Sequence, residues 1–283
     1  MRCPTLKELP PPPKGKTGWP WTEESIQLLD TMPDGRAWPK ISIINPNYNH
    51  GQSLEEAIRS VLLQGYPNLE YILIDGGSTD NSLEIIKKYE PWIGYWVSEK
   101  DEGIYDAMNK GINIAKGEWL YFLGSDDILC SNILGKVFIN KKNLSADIVY
   151  GDVILKNCKK RYLGKFNFEK LTKNNICHQA IFFRKKVFEK LGLYDTTYKI
   201  LADWEFNLRW ITNRIIKKRY CDEIIAIFNE QGISAKKTDS LFHKNFKEIS
   251  YLSFQKLSRK EKLFYKLKQL VLNKFHRIKR LLE

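Results

Sequence analysis

The chain has 283 residues, a net charge of +13, and 43% hydrophobic and 13% aromatic content. That is enough for one large domain with appendages or two modest ones, and it excludes wholesale disorder. No run approaches the roughly 18 apolar residues of a bilayer span. The five cysteines are scattered, none at CxxC spacing, which argues against a zinc knuckle or disulfide scaffold and fits reduced thiols in the cytoplasm.

Residues 1–39 read as a Pro/Trp-rich arm without a core of its own. The segment "PPPPKGKTGWPWTEES" carries Trp19 and Trp21, which suit packing on the main domain or holding a partner. The start lacks the apolar centre of a secretory leader.

From Lys40 the hydrophobic period alternates between two and 3.6. "KISIINP" predicts a buried strand, and "GQSLEEAIRSVLLQG" a helix with Ser53 and Glu56 at capping-box spacing. "LEYILID" predicts the next strand, stopped by Gly76-Gly77, with a helix to about Tyr89. "IGYWVSE", "GIYDAMNKGINIA" and "EWLYFLG" predict strand, helix and strand. Such alternation implies a mostly parallel sheet covered on both faces. "DIVYGDVIL" and "RYCDEIIAIFN" predict further strands, "NICHQAIFFRKKVFEKLG" a loop, short strand and helix, and "DWEFNLRWIT" a short helix.

In such sheets ligands bind beyond the carboxyl ends of the strands. Those ends here carry Asn45 to Asn49, then Asp75, then Ser98 to Asp101, then Asp126-Asp127. Two adjacent carboxylates closing an apolar strand need compensation, and polar residues at every such end predict an α/β enzyme.

Five segments, "ISIINPNYN", "SLEEAIRSVLLQGYPNLEYILIDGGSTDNS", "SEKDEGIYDAMNKGINIAKGEWLYFLGSDD", "CHQAIFFRK" and "LGLYDTTYKILADWEFNLR", together resemble the family 2 glycosyltransferases of the GT-A fold, over about Lys40 to Asn229. The resemblance implies a glycosyltransferase domain over 40–235, with a nucleotide-binding half (40–130) and an acceptor-binding half (131–235). It implies inverting transfer of a hexose or N-acetylhexosamine from a nucleoside-diphosphate sugar, UDP- or GDP-linked, to a glycan or lipid-linked acceptor in surface polysaccharide assembly. A divalent cation, Mn²⁺ or Mg²⁺, is expected, since hard cations prefer carboxylate oxygen.

By the same resemblance Asp126 is the metal ligand bridging to the diphosphate, and Asp127 either a second ligand or a helix cap. Gly124 stands where the family usually has an acid. Asp75 matches the acid that reads the base, or is a turn acid before the glycines. Pro46, Tyr48 and Asn49 match the segment against base and ribose, with Asn45 and Asn47 replacing Thr or Ser. Asp101 is expected at the donor. Asp203 matches the catalytic base, although Ala202 replaces the Glu of the usual Glu-Asp pair and Glu205 is the only nearby substitute. His178 is a third metal ligand, a diphosphate contact or a structural residue. Lys110 and Arg209 are weaker candidates for phosphate contact.

Residues 236–283 form the basic tail, fourteen Lys/Arg against four Asp/Glu. Apolar positions 263/264, 267, 270/271, 275, 278 and 281/282 make a helical stripe among lysines and arginines, which suits an anionic membrane surface or packing on the domain. The expectation is a cytoplasmic enzyme, peripheral on the inner face of the membrane. Nucleic acid is not expected, because the tail has few aromatics for base stacking. A nucleotidyltransferase would carry a G-x-G-x-R loop after the first strand, which "NPNYNHGQ" is not; a non-catalytic nucleotide-sugar binder is the other alternative.

Overall fold

The computed structural model describes residues 2–162, 164–232 and 237–268. In chain order the first half contains β1 (Ile41–Asn47), α1 (Gly51–Leu62), β2 (Leu69–Asp75), α2 (Ser82–Tyr89), β3 (Tyr95–Ser98), α3 (Ile104–Ile114) and β4 (Trp119–Phe122). There follow β5 (Ile128–Leu129), α4 (Ile133–Phe138), α5 (Lys141–Leu144), β6 (Ile148–Leu155), β7 (Arg161–Tyr162), α6 (Phe168–Leu171), β8 (Ile181–Arg184), α7 (Lys185–Leu191), α8 (Ala202–Ile211), β9 (Lys218–Phe228) and α9 (Ser240–Gln255).

The strands make one nine-stranded sheet in the order β3-β2-β1-β4-β8-β6-β9-β5, with β7 on β6. The first four strands are parallel, β8 runs antiparallel to both its neighbours, and β6 and β9 are again parallel. Alternation within each strand divides the core. Ile41, Ile43, Tyr71, Leu73, Trp119 and Tyr121 face α1, α2 and the arm. Ile44, Ile72, Ile74, Leu120 and Phe122 face α3, α7 and α8. Burial of each such side chain is worth about 1.5–3 kcal/mol, and a one-residue slip would exchange the two faces.

Helix α1 begins at Gly51, so Ser53 lies inside it and the capping box does not form. Asp80 serves instead: its Oδ2 accepts from Gly51 N at 2.8 Å and its Oδ1 from Ser82 N at 2.9 Å. One carboxylate thus lies at the N-terminal ends of α1 and α2, where both dipoles favour it.

The arm lies against α1. Cys3, Leu9, Trp21, Met32 and Trp38 are buried, and Trp19 Nε1 donates to the Leu129 carbonyl at 2.9 Å. Arg59, fully buried on α1, donates to the carbonyls of Pro10, Pro20 and Trp21 and to Tyr89 Oη at 2.8–3.1 Å. A buried guanidinium must find acceptors, and the arm supplies three of them.

The described part of the tail has two sides. Asp239 accepts from Phe242 N at the start of α9 and, through Oδ2, from Ile200 N and Leu201 N just before α8. Phe242 and Phe246 pack on Trp204. Beyond α9, residues 259–268 are helical; Tyr265 packs on Phe168 and Phe254, while Leu263, Phe264 and Leu267 are exposed. The rest of the expected stripe, 270–282, lies outside the described residues.

Candidate active site

Pro46, Tyr48, Asp101, Asp126, Asp127, His178 and Asp203 line one cleft of about 620 Å³. The floor is the carboxyl end of β1 and the loop after β4. The side walls come from the loop before α3, the start of α8 and the residues after β9. Lys173 and Lys199 also line it, as does an apolar side formed by Tyr162, Trp204 and Phe228.

Asp75 and Asn49 are not among the residues that line this cleft, and register explains Asp75. Asn47 is level with Asp75, which is level with Ser98, on three adjacent strands. Their side chains therefore emerge on one face and meet. Asp75 Oδ1 accepts from Asn47 Nδ2 (2.7 Å) and Ser78 Oγ (2.5 Å). Its Oδ2 accepts from Ser98 Oγ (2.6 Å), Ser78 N (2.9 Å) and Gly77 N (3.2 Å). Burial pushes this carboxyl up, but the bonds from Ser78, Ser98 and Asn47 outweigh it and hold it below its ordinary value. Asn49, at φ 55°, accepts from Thr79 N and Asp80 N and so ties the β1 loop to the β2 loop.

The aspartates after β4 are held from several sides. Asn45 donates to the Leu123 carbonyl (2.7 Å) and Ser125 Oγ (3.2 Å), fastening the loop to β1. Asn229, just past β9, donates its backbone N–H to Asp127 Oδ1 (2.8 Å) and its amide to Asp126 Oδ2 (3.0 Å). Gln179 Nε2 donates to Asp127 Oδ2 (2.5 Å). Asp127 is buried and caps no helix, since the N-cap of α4 is Asn132. Burial, and then the charge of Asp126, raise its carboxyl to about 7. Gly124 has a spatial explanation: a Cβ there would collide with the Asp127 carboxylate. The space of the absent side chain belongs to Asp127.

Asp126 is the more exposed of the pair, so a cation would rest chiefly on it. Among the described residues no group of three His, Cys, Asp or Glu could hold a metal unaided. That donor set fits Mg²⁺ or Mn²⁺ bound by one or two carboxylates together with substrate phosphates, and does not fit a closed protein cage.

Asp203 opens α8. Its Oδ1 accepts from Tyr105 Oη (2.9 Å) and Trp204 N (2.8 Å), its Oδ2 from Asn175 Nδ2 (3.0 Å), and His178 Nδ1 lies 3.6 Å from Oδ2. The buried Nε2 of His178 has no protein partner. Glu205 does not stand in for the acid absent at Ala202: it pairs with Arg209 at 2.7 Å and is not among the cleft residues. Lys110 pairs with Glu99 (2.8 Å) and Asp106 (3.5 Å), also outside the cleft lining. Tyr105, Asn175, Gln179 and Asn229 are site residues that the sequence did not single out. All four fell within segments quoted above, and nothing there distinguished them.

The arrangement brings together the half-buried carboxylate of Asp126, the carboxylate of Asp203 held by Tyr105 and Asn175, two lysines and an apolar wall. The family model Glycosyl transferase family 2 matches residues 42–225. A "PGL/p-HBAD biosynthesis glycosyltransferase" of Mycobacterium bovis is 41% identical over 203 residues, covering 69% of this chain and 79% of that protein. Residues 1–349 of S. aureus TarS, solved in complex with UDP-GlcNAc, superpose with a TM-score of 0.62 at 17% identity, covering 79% of this chain and 69% of that one. The match covers 36% of the longer TarS chain. The mannosyltransferase PcManGT of Pyrobaculum calidifontis, in complex with GDP-Man and Mn²⁺, superposes with a TM-score of 0.54 at 19% identity, covering 70% and 59%. These likenesses show the fold, which is GT-A.

Proposed function

The chain belongs to glycosyl transferase family 2, and from that premise we propose that it transfers a sugar from a nucleoside-diphosphate sugar to an acceptor hydroxyl with inversion at the anomeric carbon. The observation that carries this reading is the meeting of Asp126 and Asp203, from opposite halves of the chain, in one cleft with Tyr48 and two lysines.

In this reading the donor diphosphate lies over the end of β4 and the acceptor enters along Tyr162, Trp204 and Phe228. A cation on Asp126, when bound, neutralises charge on the departing diphosphate. Asn229 holds the Asp126 carboxylate in place, and Asp127 braces the loop. Asp203 Oδ1 accepts from two donors and Oδ2 from Asn175 alone, so Oδ2, with the more acceptor capacity left, is the oxygen that takes the proton. The acceptor oxygen forms its bond to the anomeric carbon on the face opposite the diphosphate, the carbon–diphosphate bond breaks, and the hydroxyl proton passes to Asp203. Lys173 and Lys199 supply fixed positive charge beside the site.

The mixed polar and apolar cleft favours a glycan or lipid-linked acceptor. Exposed Leu263, Phe264 and Leu267 beside Lys260, Lys262 and Lys266 favour an anionic membrane surface. Among the described residues no helix is long and apolar enough to cross a membrane.

The test is release of nucleoside diphosphate from a panel of UDP-, GDP- and dTDP-sugars in the presence of a membrane-lipid extract. Product NMR gives the anomeric configuration. Turnover in wild type that is absent in Asp203→Asn supports the reading; equal turnover in the two, or a retained configuration, refutes the assigned base or the inversion.

A further inference from the structure

We propose that Asp239, which lies beyond the family-matched residues 42–225, is a positioning residue for Asp203: by holding the backbone of Ile200 and Leu201, its carboxylate sets where the helix that carries the base begins. This rests on the reading of Asp203 as the base and adds to it a residue of the C-terminal segment.

The geometry begins with a gap in α8. The first N–H groups of a helix have no partner within it. The N-cap of α8 is Leu201, whose side chain has no acceptor to offer them. Leu201 is nevertheless the pivot of this helix start. Its carbonyl accepts from Trp204 N at 3.1 Å and Glu205 N at 3.2 Å, and Asp203 follows two residues later. What fixes the Leu201 backbone therefore fixes Asp203.

Asp239 supplies that hold from α9. Its Oδ2 accepts from Ile200 N at 2.9 Å and Leu201 N at 3.2 Å, and its Oδ1 from Phe242 N at 3.1 Å. The carboxylate is buried and stands at the N-terminal ends of α8 and α9, where both dipoles favour it. Phe242, one turn on, packs its ring 5.6 Å from that of Tyr198 and 5.5 Å from that of Trp204. Helix α9 thus meets the chain on both sides of Leu201.

The other side of the same segment is held by the first half of the chain. The Tyr105 hydroxyl lies 2.7 Å from the Ile200 carbonyl, and Lys199 Nζ donates to the Glu102 carbonyl at 3.2 Å. Ile200 is therefore gripped at its N–H by α9 and at its carbonyl by α3. Ile200, Leu201 and Asp203 line the cleft, whereas Asp239 does not. Its influence on the reaction passes through the backbone of 200–203. A misplacement of about 1 Å in a reacting group can cost on the order of 10²-fold in rate, so a loosened helix start is felt in turnover before it is felt in donor binding, which rests on other elements.

The test compares wild type, Asp239→Ser and Asp239→Asn as full chains, using the donor that wild type turns over. Serine can still cap α9 at Phe242 N but has one short oxygen and cannot also reach Ile200 and Leu201. In Asp239→Ser, kcat should fall about 10–100-fold. The donor KM, and the affinity and stoichiometry of nucleoside diphosphate binding by calorimetry with Mn²⁺, should stay within about twofold of wild type. Deuterium exchange at the Ile200 and Leu201 amides should be at least about tenfold faster, since their acceptor is gone. Asp239→Asn keeps the size and one acceptor oxygen; it should show the same pattern with a smaller loss and stands in if Asp239→Ser does not fold. Unchanged kcat, unchanged exchange at those amides, or equal losses in kcat and nucleotide affinity would overturn the assignment while leaving the transferase reading intact. Absence of turnover in wild type with every donor would overturn both.

Discussion

The hydroxyl of Tyr105 on α3 donates to Asp203 on α8 at 2.9 Å, across 98 residues of sequence. The same hydroxyl lies 2.7 Å from the Ile200 carbonyl, so one tyrosine on α3 fixes the start of the helix that carries Asp203, the base we propose. Asp203→Asn should lower transfer by about 10²–10⁴-fold and leave nucleoside-diphosphate affinity within about twofold. Tyr105→Phe keeps the ring and should lower turnover roughly tenfold through loss of one charge-assisted hydrogen bond. Steady-state kinetics beside calorimetry separates the two effects; a Tyr105→Phe variant with full turnover would remove its positioning role.

Asn229 holds Asp126 with its side chain and Asp127 with its backbone. Asn229→Ala removes only the first of these. The expected result is about tenfold weaker nucleotide binding in Mn²⁺ with little change in melting temperature, since the Asp127 brace persists. Equal losses with and without Mn²⁺ would show that Asn229 acts on something other than the cation-bearing carboxylate.

Asp75 is best tested by stability. Asp75→Asn replaces an acceptor oxygen by an amide among five donors, and should cost about 2–3 kcal/mol at neutral pH. The folded Asp75 carboxyl is held below its ordinary value, so its stabilisation is present above the unfolded value near pH 4 and is lost as pH falls through the folded one. The gap between wild type and Asp75→Asn in urea unfolding should therefore narrow below about pH 4. A gap that widens there would contradict the ionised, hydrogen-bonded state.

These sites also show what the sequence made legible. The alternation of periods two and 3.6 from Lys40 located the parallel strands, polar residues at strand ends marked Pro46, Tyr48, Asp101 and Asp126 as neighbours, and the family resemblance added Asp203. The saturation of Asp75 was not legible, because it depends on Asn47 and Ser98 arriving in register from two other strands. In one dimension Gly124 read as an absent acid and Gly76 as the stop of a strand. In three, the carboxylates of Asp127 and Asp101 occupy the side-chain space of those positions from elsewhere in the chain. Gln179 and Asn229 carried no signal, since a neutral amide acquires its role only from the carboxylate it meets.

The arm offers a separate test. Arg59→Met removes the buried guanidinium and leaves the carbonyls of Pro10, Pro20 and Trp21 without their donor. The expected loss is about 3 kcal/mol or more, with early proteolytic cleavage within residues 10–21. Unchanged stability and an uncut arm would mean that Trp21, Trp38 and Met32 suffice to hold it.

The most direct measurement on the cleft is calorimetric titration of the protein with UDP, GDP, CDP and dTDP, each with Mn²⁺ and with EDTA, in wild type and Asp126→Ala. The account predicts that one nucleotide binds tightly with Mn²⁺ and that its affinity falls at least tenfold in EDTA and equally in Asp126→Ala. Tight binding indifferent to both EDTA and Asp126→Ala would contradict the cation-bridged site and move the diphosphate to Lys173 and Lys199.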